Sequence, residues 1–222
     1  MKQSLIPVLV SLLLCSACNK ETEMASPPPD QVFYKATITS QWNSPAFSVP
    51  PGAHFTTFIG MVHNEQASLW KEGTIASAGM EVLAESGGGG PILAEIDSMI
   101  NRKNAATLLL FVAPPVWSSA PVNFTCTPTH PYISFASMLG PTPDWFTGIS
   151  SLKLYQNGWI KDTTIMLYTW DAGTEEGDAF GYNNPATVPV QAIHKLAAAN
   201  ATVLANGNTS LGPIATVRFQ LQ

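Results

Sequence analysis

Short runs of alternating apolar and polar residues, separated by turns rich in proline and glycine, constrain the fold of this chain most strongly. The first run begins at Val32: Tyr34, Ala36 and Ile38 share one face of an extended strand, and the residues between them share the other. Similar runs cover residues 56–62, 107–113, 132–139, 152–156, 163–168 and 214–221. Many are separated by turn sequences, at 50–52, 114–115, 156–158 and 183–185. This punctuation predicts an all-β fold, an antiparallel β-sandwich.

Two segments break the alternating pattern. Residues 77–85 and 92–100 carry apolar residues at helical spacing, and a glycine-rich loop at 86–90 joins them. The loop lacks the Lys-Ser/Thr pair of a phosphate-binding loop, and no strand leads directly into it. We therefore predict two short helices inserted in the sandwich.

The composition limits the class of partner. Charged residues make up only 11% of the chain, and its 18 prolines and 16 glycines are typical of a fold with many turns. The net charge of −5 and the absence of a basic cluster argue against nucleic acid as a partner. Residues 32–222 are long enough to form one domain with its own core.

The first 18 residues read as an export signal. Lys2 gives a positive start, and the apolar run at 5–14 is too short to span a bilayer as a helix. Small residues before Cys18 resemble a bacterial lipoprotein processing site, although Cys15 stands where an aliphatic residue is usual. Cleavage before Cys18 would make it the lipidated N-terminus of a cell-envelope, outer-membrane or surface lipoprotein. The alternative is ordinary secretion with cleavage near Ala17.

Residues 19–31 are polar and then proline-rich, without periodicity, and read as a semi-rigid spacer between a membrane and the domain at 32–222. With Cys15 in the signal and Cys18 lipidated, Cys126 is the remaining cysteine of the chain. No disulfide within the domain is expected.

Two acidic turns carry the candidate chemistry. Asp144 lies in the Pro/Gly-rich segment 141–148, and Asp171 and Glu175 lie in the segment 171–177. Carboxylates on adjacent loops at one end of a sandwich can hold a hard cation such as Ca²⁺. The alternatives are a turn-capping role for Asp144 and, for Glu175, a solvated acidic face.

Several ordered motifs resemble the spondin domain family. The strongest are Pro-Asp-Trp-Phe-Thr-Gly-Ile at 143–149 and Tyr-Thr-Trp-Asp-Ala-Gly-Thr-Glu at 168–175, with a His-to-Leu-Trp-Lys segment at 63–71 upstream. The resemblance implies a C2-like β-sandwich that binds one calcium ion, with roles in matrix attachment and cell-surface recognition. Asp144 matches the acidic position of the family's Asp-Trp-Phe motif. Asp171 and Glu175 match the two acidic positions of its Asp-Ala-Gly-Thr-Asp/Glu motif.

The chain also departs from the family pattern. Animal members often carry a further acidic residue on the strand before Asp-Trp-Phe, whereas residues 123–126 contain none. Because the site has one carboxylate fewer, we predict weaker Ca²⁺ binding, with a Kd towards the ~10⁻⁴–10⁻³ M typical of extracellular modules. The animal domains also use a disulfide to a cysteine near the position of Tyr155, and this chain has no cysteine there.

We predict an exported, lipid-anchored, spondin-like module that is not an enzyme and that binds an envelope or extracellular protein or glycan. Two other classes stay open. A carbohydrate-binding sandwich would present Trp42, Trp117 or Trp159 as an exposed, coplanar aromatic pair. A hydrolase would need a deep cleft that holds His63 or acidic residues with perturbed pKa values.

Overall fold

The computed structural model describes residues 30–222, and its strands form two antiparallel sheets. The order along the chain places two helices between the third and fourth strands and a third short helix before the last strand. In chain order the elements are β1 (Val32–Ser40), β2 (His54–Phe55), β3 (Phe58–His63), α1 (Ala78–Ser86), α2 (Gly90–Asn101), β4 (Ala105–Phe111), β5 (Ser119–Cys126), β6 (Tyr132–Gly140), β7 (Trp145–Lys153), β8 (Asp162–Leu167), β9 (Thr169–Asp171), β10 (His194–Lys195), α3 (Thr202–Ala205) and β11 (Ala215–Leu221).

The two sheets pack face to face. One sheet has the strand order β5-β1-β11-β8, and the other has the order β10-β9-β7-β6-β3-β4, with β2 paired to β6. Large apolar side chains from both sheets, among them Tyr34, Phe135, Trp145 and Phe219, form the core between them. The prediction of an all-β antiparallel sandwich is therefore confirmed.

Strand β1 shows why the alternating pattern predicts the fold. Tyr34, Ala36 and Ile38 are buried against the opposite sheet, while Phe33 is 59% exposed. Both long edges of β1 are paired, to β5 and to β11. A strand with two partners and one solvated face requires this period of two.

The two predicted helices cover the outer face of the larger sheet and create a second core there. Ser77 caps α1 by accepting a hydrogen bond from the Met80 N–H. Glu95 of α2 ties the two helices together, because its carboxylate accepts bonds from the Ser77 hydroxyl and the Gly79 N–H, both at 2.7 Å. The chain turns at Gly87, whose φ of 69° lies in the left-handed region. The short helix α3 was not predicted.

Strands β5 and β7 differ most from the sequence-based prediction, and the short strands β2, β9 and β10 were not predicted. Strand β7 extends from Trp145 to Lys153, whereas the alternating pattern placed a strand at 152–156. Most of β7 is buried on both faces, so its residues do not alternate. Strand β5 was missed because it lies at a sheet edge, and polar residues and Pro121 obscure its pattern.

A buried polar network lies at an irregularity in the pairing of β6 with β7. The register shifts between Ile133 and Phe135, and Ser151 on β7 has a φ of 53°. Ser134 accepts a hydrogen bond from the Ser151 N–H at 2.8 Å, and its hydroxyl lies 2.8 Å from Nε2 of His63. Because burial lowers the pKa of His63 and favours the neutral ring, Nδ1 donates to the Asn64 carbonyl and Nε2 accepts from the Ser134 hydroxyl. His63 is therefore a neutral, fully buried structural group.

The predicted signal peptide, the lipidation site Cys18 and most of the spacer lie outside the described residues. Among the helices of residues 30–222, none has the length and apolar character needed to cross a membrane.

We expect Gly148→Ala to destabilise the fold. A Cβ at this position would overlap the Phe135 carbonyl oxygen and the Ala136 Cα of β6, so the two strands would have to separate. Overpacking of this kind costs roughly 1–3 kcal/mol of the free energy of unfolding, measurable by chemical denaturation. Gly212→Ala is the control, since a Cβ there meets nothing within 4 Å. Equal stability of both variants would contradict the close approach of β6 and β7.

We expect His63 to make the protein less stable as the pH falls. Burial lowers the pKa of His63 below its ordinary value of 6.5. Below pH 6.5 the unfolded chain takes up a proton on this histidine that the folded chain does not. The contribution of His63 to the free energy of unfolding is therefore fully present above pH 6.5 and is lost as the pH falls towards the pKa of the folded state. Thermal melts of the parent and His63→Gln from about pH 7.5 to about pH 5 check this. The gap between the two melting temperatures should narrow as the pH falls, and a constant gap would refute it.

Candidate metal centre

The fold brings Asp144 and Asp171 together at one end of the larger sheet. Asp144 immediately precedes β7, and Asp171 is the last residue of β9. Trp145 pairs with Asp171 across the two strands, and the Ala172 N–H donates to the Asp144 carbonyl at 3.2 Å. The two acidic turns predicted from the sequence are thus neighbours in space.

Asp144 is fully buried, and its two carboxylate oxygens have different surroundings. Oδ2 accepts bonds from the Thr174 N–H at 2.7 Å, the Thr174 hydroxyl at 3.2 Å and the Glu175 N–H at 3.1 Å. Oδ1 is also buried but has no hydrogen-bond partner among the described residues. A buried carboxylate oxygen without a partner is costly. Asp144 therefore caps the acidic loop with one oxygen and leaves the other available for a cation.

Asp171 is the second carboxylate of the site. Its Oδ1 accepts a hydrogen bond from the Gly173 N–H at 2.8 Å and lies 3.9 Å from Nδ1 of His194. Burial, and after it the charge of the nearby Asp144, raises the pKa of Asp171 to about 6. A divalent cation would relieve the repulsion that the Asp144 charge exerts on the Asp171 carboxylate.

Glu175 is close to this pair, but its carboxylate has a different partner. Its backbone N–H donates to Asp144, while its Oε2 accepts a bond from the Asn184 side chain at 3.3 Å. Burial raises the pKa of Glu175, with smaller contributions from Glu85 and Asp144. Across residues 30–222, no three His, Cys, Asp or Glu side chains are grouped closely enough to form a metal cluster.

Glu85 is an acidic neighbour that the sequence reasoning did not assign to the site. It lies in the last turn of α1, where the helix dipole disfavours a negative charge. Burial raises the pKa of Glu85, and the charges of Glu81 and Asp144 add to this effect. An uncompensated carboxylate at a helix C-terminus was the one signal in the sequence that could have identified it.

The acidic loops line an open cavity of about 450 Å³. Asp171, Glu175, Glu176 and Asp178 face this cavity, and His194 is the basic group that lines it. The carboxylates of Asp171, Glu175, Glu176 and Asp178 make the cavity polar and negative. Such a site favours a cation over an anionic or apolar ligand.

The three candidate sugar-binding tryptophans do not form a common platform. Trp42 is fully buried and donates its indole N–H to the Ser48 carbonyl. Trp159 packs edge-on against Tyr34 and Tyr155. Only Trp117 of the three is strongly exposed, at 72%. The exposed coplanar pair expected of a carbohydrate-binding sandwich is absent among them.

His63 and the free thiol of Cys126 are both enclosed. His63 has no exposed surface and is engaged with Ser134 and Asn64. Cys126 is free and buried, and burial raises the pKa of its thiol to about 12. Neither group has access to a substrate in this structure.

Comparison with known proteins identifies the same family as the motifs. The Spondin_N family model matches residues 32–206. Rat spondin-2 is 32% identical over 200 residues, which cover 84% of this chain and 60% of that protein. Human spondin-2 is 28% identical over 182 residues, covering 78% of this chain and 55% of the relative. Rat spondin-1 is 30% identical over 177 residues, covering 73% of this chain and 21% of the relative.

The chain spans less than two thirds of the length of these relatives, so the similarity concerns one module of each. That module contains both acidic turns, since the family match includes Asp144, Asp171 and Glu175. The family match extends over most of the described sandwich, from β1 to just after α3. This chain belongs to the spondin domain family.

Proposed function

We propose that this protein is an exported binding module for adhesion or recognition outside the cell, with a Ca²⁺ ion between its acidic loops. The observation that carries the calcium proposal is the buried, unpartnered Oδ1 of Asp144 beside Asp171. A carboxylate oxygen left without a donor in a protein interior is a ready ligand for a hard cation.

Asp144, Asp171 and Glu175 are the proposed protein ligands, and Glu175 would have to release Asn184 to join the other two, because the three carboxylates are not clustered in the structure. Ca²⁺ takes 6–8 oxygen ligands, so backbone carbonyls and water would complete its coordination. When bound, the ion would neutralise the repulsion between Asp144 and Asp171 and hold the two acidic loops together. Glu85 would add negative charge close to the site, which would compensate in part for the absence of an acidic residue at 123–126.

The recognition role is supported by membership of the spondin domain family. The partner would be an envelope or extracellular protein or glycan. We further propose that Cys18 carries a lipid anchor and that residues 19–31 hold the domain away from the membrane. The proposed role is binding rather than catalysis.

We expect Ca²⁺ to raise the melting temperature of the protein. With a Kd of ~10⁻⁴–10⁻³ M, about 10 mM Ca²⁺ would add about 1.4–2.7 kcal/mol to the free energy of unfolding. For a domain of this size, that corresponds to a rise of about 3–10 °C relative to EGTA. Differential scanning calorimetry with Ca²⁺ and with EGTA measures it.

Asp144→Asn and Asp171→Asn should each abolish this calcium-dependent rise. Asp97→Asn is the matched control, since Asp97 is exposed on α2 and should leave the rise intact. A melting temperature that Ca²⁺ does not change in the parent protein would contradict the metal site. An unchanged calcium effect in both site variants would place the ion elsewhere.

We expect Cys18→Ser to release the protein from the membrane. Loss of the thiol removes the acceptor for the lipid, and stable anchoring depends on more than one acyl chain. Fractionation of a bacterial host that expresses the full chain measures the change, with Cys15→Ser as the control that should stay with the membranes. If Cys18→Ser remains membrane-bound to the same extent, the lipid anchor is wrong.

A further inference from the structure

We propose that a small pocket at the end of the larger sheet opposite the acidic loops binds one sugar ring of a glycan. The pocket has a volume of about 330 Å³, and its walls come from the segments 64–66, 128–132 and 153–155. The inference rests on the proposed recognition role and deepens it, because it names a glycan as the class of partner and gives the residues that would hold it.

Three connections between strands meet at this pocket. His63 at the end of β3 pairs with Tyr132 of β6, and Tyr132 pairs with Lys153 at the end of β7. The loops that adjoin these strand ends therefore lie side by side. Trp145, at the other end of β7, follows Asp144, so the pocket is roughly 25 Å from the proposed Ca²⁺ site at about 3.3 Å per residue.

Local hydrogen bonds and prolines fix the shape of the pocket. Oδ1 of Asn64 accepts a bond from the Gln66 N–H at 2.9 Å, which closes the first loop into a tight turn. The Leu154 N–H donates to the Pro131 carbonyl at 2.8 Å and joins the second loop to the third. Pro128 and Pro131 both line the pocket and restrict its backbone. A pocket that is shaped before the ligand arrives lowers the entropic cost of binding.

Two tyrosines supply the aromatic walls. The ring of Tyr132 stacks on His63, with the ring centroids 5.7 Å apart, and Nζ of Lys153 lies 5.5 Å from the Tyr132 centroid. Tyr155 is half-buried, and its T-shaped contact with Trp159 covers at most one face of its ring. Tyr155 is therefore the residue on which the C–H groups of a pyranose can stack.

Polar side chains at the pocket are not used by the fold. Glu65 and Gln66 are exposed there. Gln66 bonds through its backbone N–H, and within residues 30–222 its side-chain amide has no protein partner. The two ion pairs of the described part of the chain involve neither Lys153 nor Glu65. An amide, a carboxylate and an ammonium group are thus free to bond the hydroxyls of a ligand.

The balance of charge favours a neutral ligand. One cation, Lys153, and one carboxylate, Glu65, line this pocket, whereas four carboxylates line the acidic cavity. An anion would meet Glu65, a metal ion would meet Lys153, and an apolar ligand would leave both groups without a partner.

A sugar ring fits these requirements, because it is neutral, carries hydroxyls around its edge and presents C–H groups on its faces. Small-molecule pockets span about 300–1,000 Å³, so a volume of about 330 Å³ suits one ring rather than several. A single ring held in a pocket does not need the coplanar pair that Trp42, Trp117 and Trp159 fail to provide.

The Ca²⁺ site and the sugar pocket can fail separately. None of Asp144, Asp171 and Glu175 lines the pocket, so sugar binding should occur both with Ca²⁺ and with EGTA. A glycan or protein that binds elsewhere on the domain would support the recognition role and would overturn this pocket.

The probe is a panel of free glucose, galactose, mannose and N-acetylglucosamine, each titrated to high millimolar concentration into the isotope-labelled full chain. At least one sugar should shift the backbone NMR signals of the segments 64–66, 128–132 and 153–155. The signals of the acidic loop at 171–177 should not move. Inorganic phosphate and free glycine, titrated in the same way, should leave the pocket signals unchanged.

Gln66→Ala and Tyr155→Ala should each weaken the binding of that sugar by about 2- to 10-fold. The first variant loses a hydrogen-bonding amide, and the second loses the stacking face. Gln31→Ala and Tyr182→Ala are the matched controls, since both side chains are exposed and lie outside the pocket. Both controls should bind the sugar as the parent protein does.

Three results would overturn the proposal. The first is a panel in which no sugar moves the signals of the pocket. The second is phosphate or glycine that binds there while the sugars do not. The third is a sugar whose affinity is the same for the parent protein and for Gln66→Ala and Tyr155→Ala. Gln66→Ala changes an exposed side chain, so the test stands even if Tyr155→Ala does not fold.

Discussion

Strand β6 is buried along nearly its whole length, because the four-stranded sheet covers one face of the larger sheet and the two helices cover the other. A strand enclosed on both faces leaves no room for misfitting side chains, and glycine stands where its neighbours approach most closely, at Gly60 and Gly148. The same enclosure requires every buried polar group near β6 to find a partner, as His63 and Ser134 do. The rest of the structure is arranged around this strand.

The acidic end of the sheet is an exception to that rule. Asp144 satisfies one oxygen by capping the loop that carries Thr174 and Glu175, and its other oxygen has no donor among the described residues. The Asp144 side chain could therefore serve both as a turn cap, through Oδ2, and as a metal ligand, through Oδ1. The cap orients the loop, and the remaining oxygen beside Asp171 is what supports a cation at this position.

The crossing of the chain at Tyr168 positions one of the two acidic loops. By moving the chain from the smaller sheet to the larger one, it places Asp171 opposite Trp145. A single change of sheet therefore positions the candidate metal ligands.

The sequence by itself determined the sandwich, the two inserted helices and the family, because alternation, helical spacing and the Asp-Trp-Phe and Asp-Ala-Gly-Thr motifs are local patterns. It did not predict β7 correctly, since a strand buried on both faces loses its alternation. Only the tertiary structure showed that Glu85 approaches Asp144 and that the Glu175 carboxylate faces Asn184. These contacts join residues far apart in the chain, and the packing of α1 and the loops on the sheet decides them.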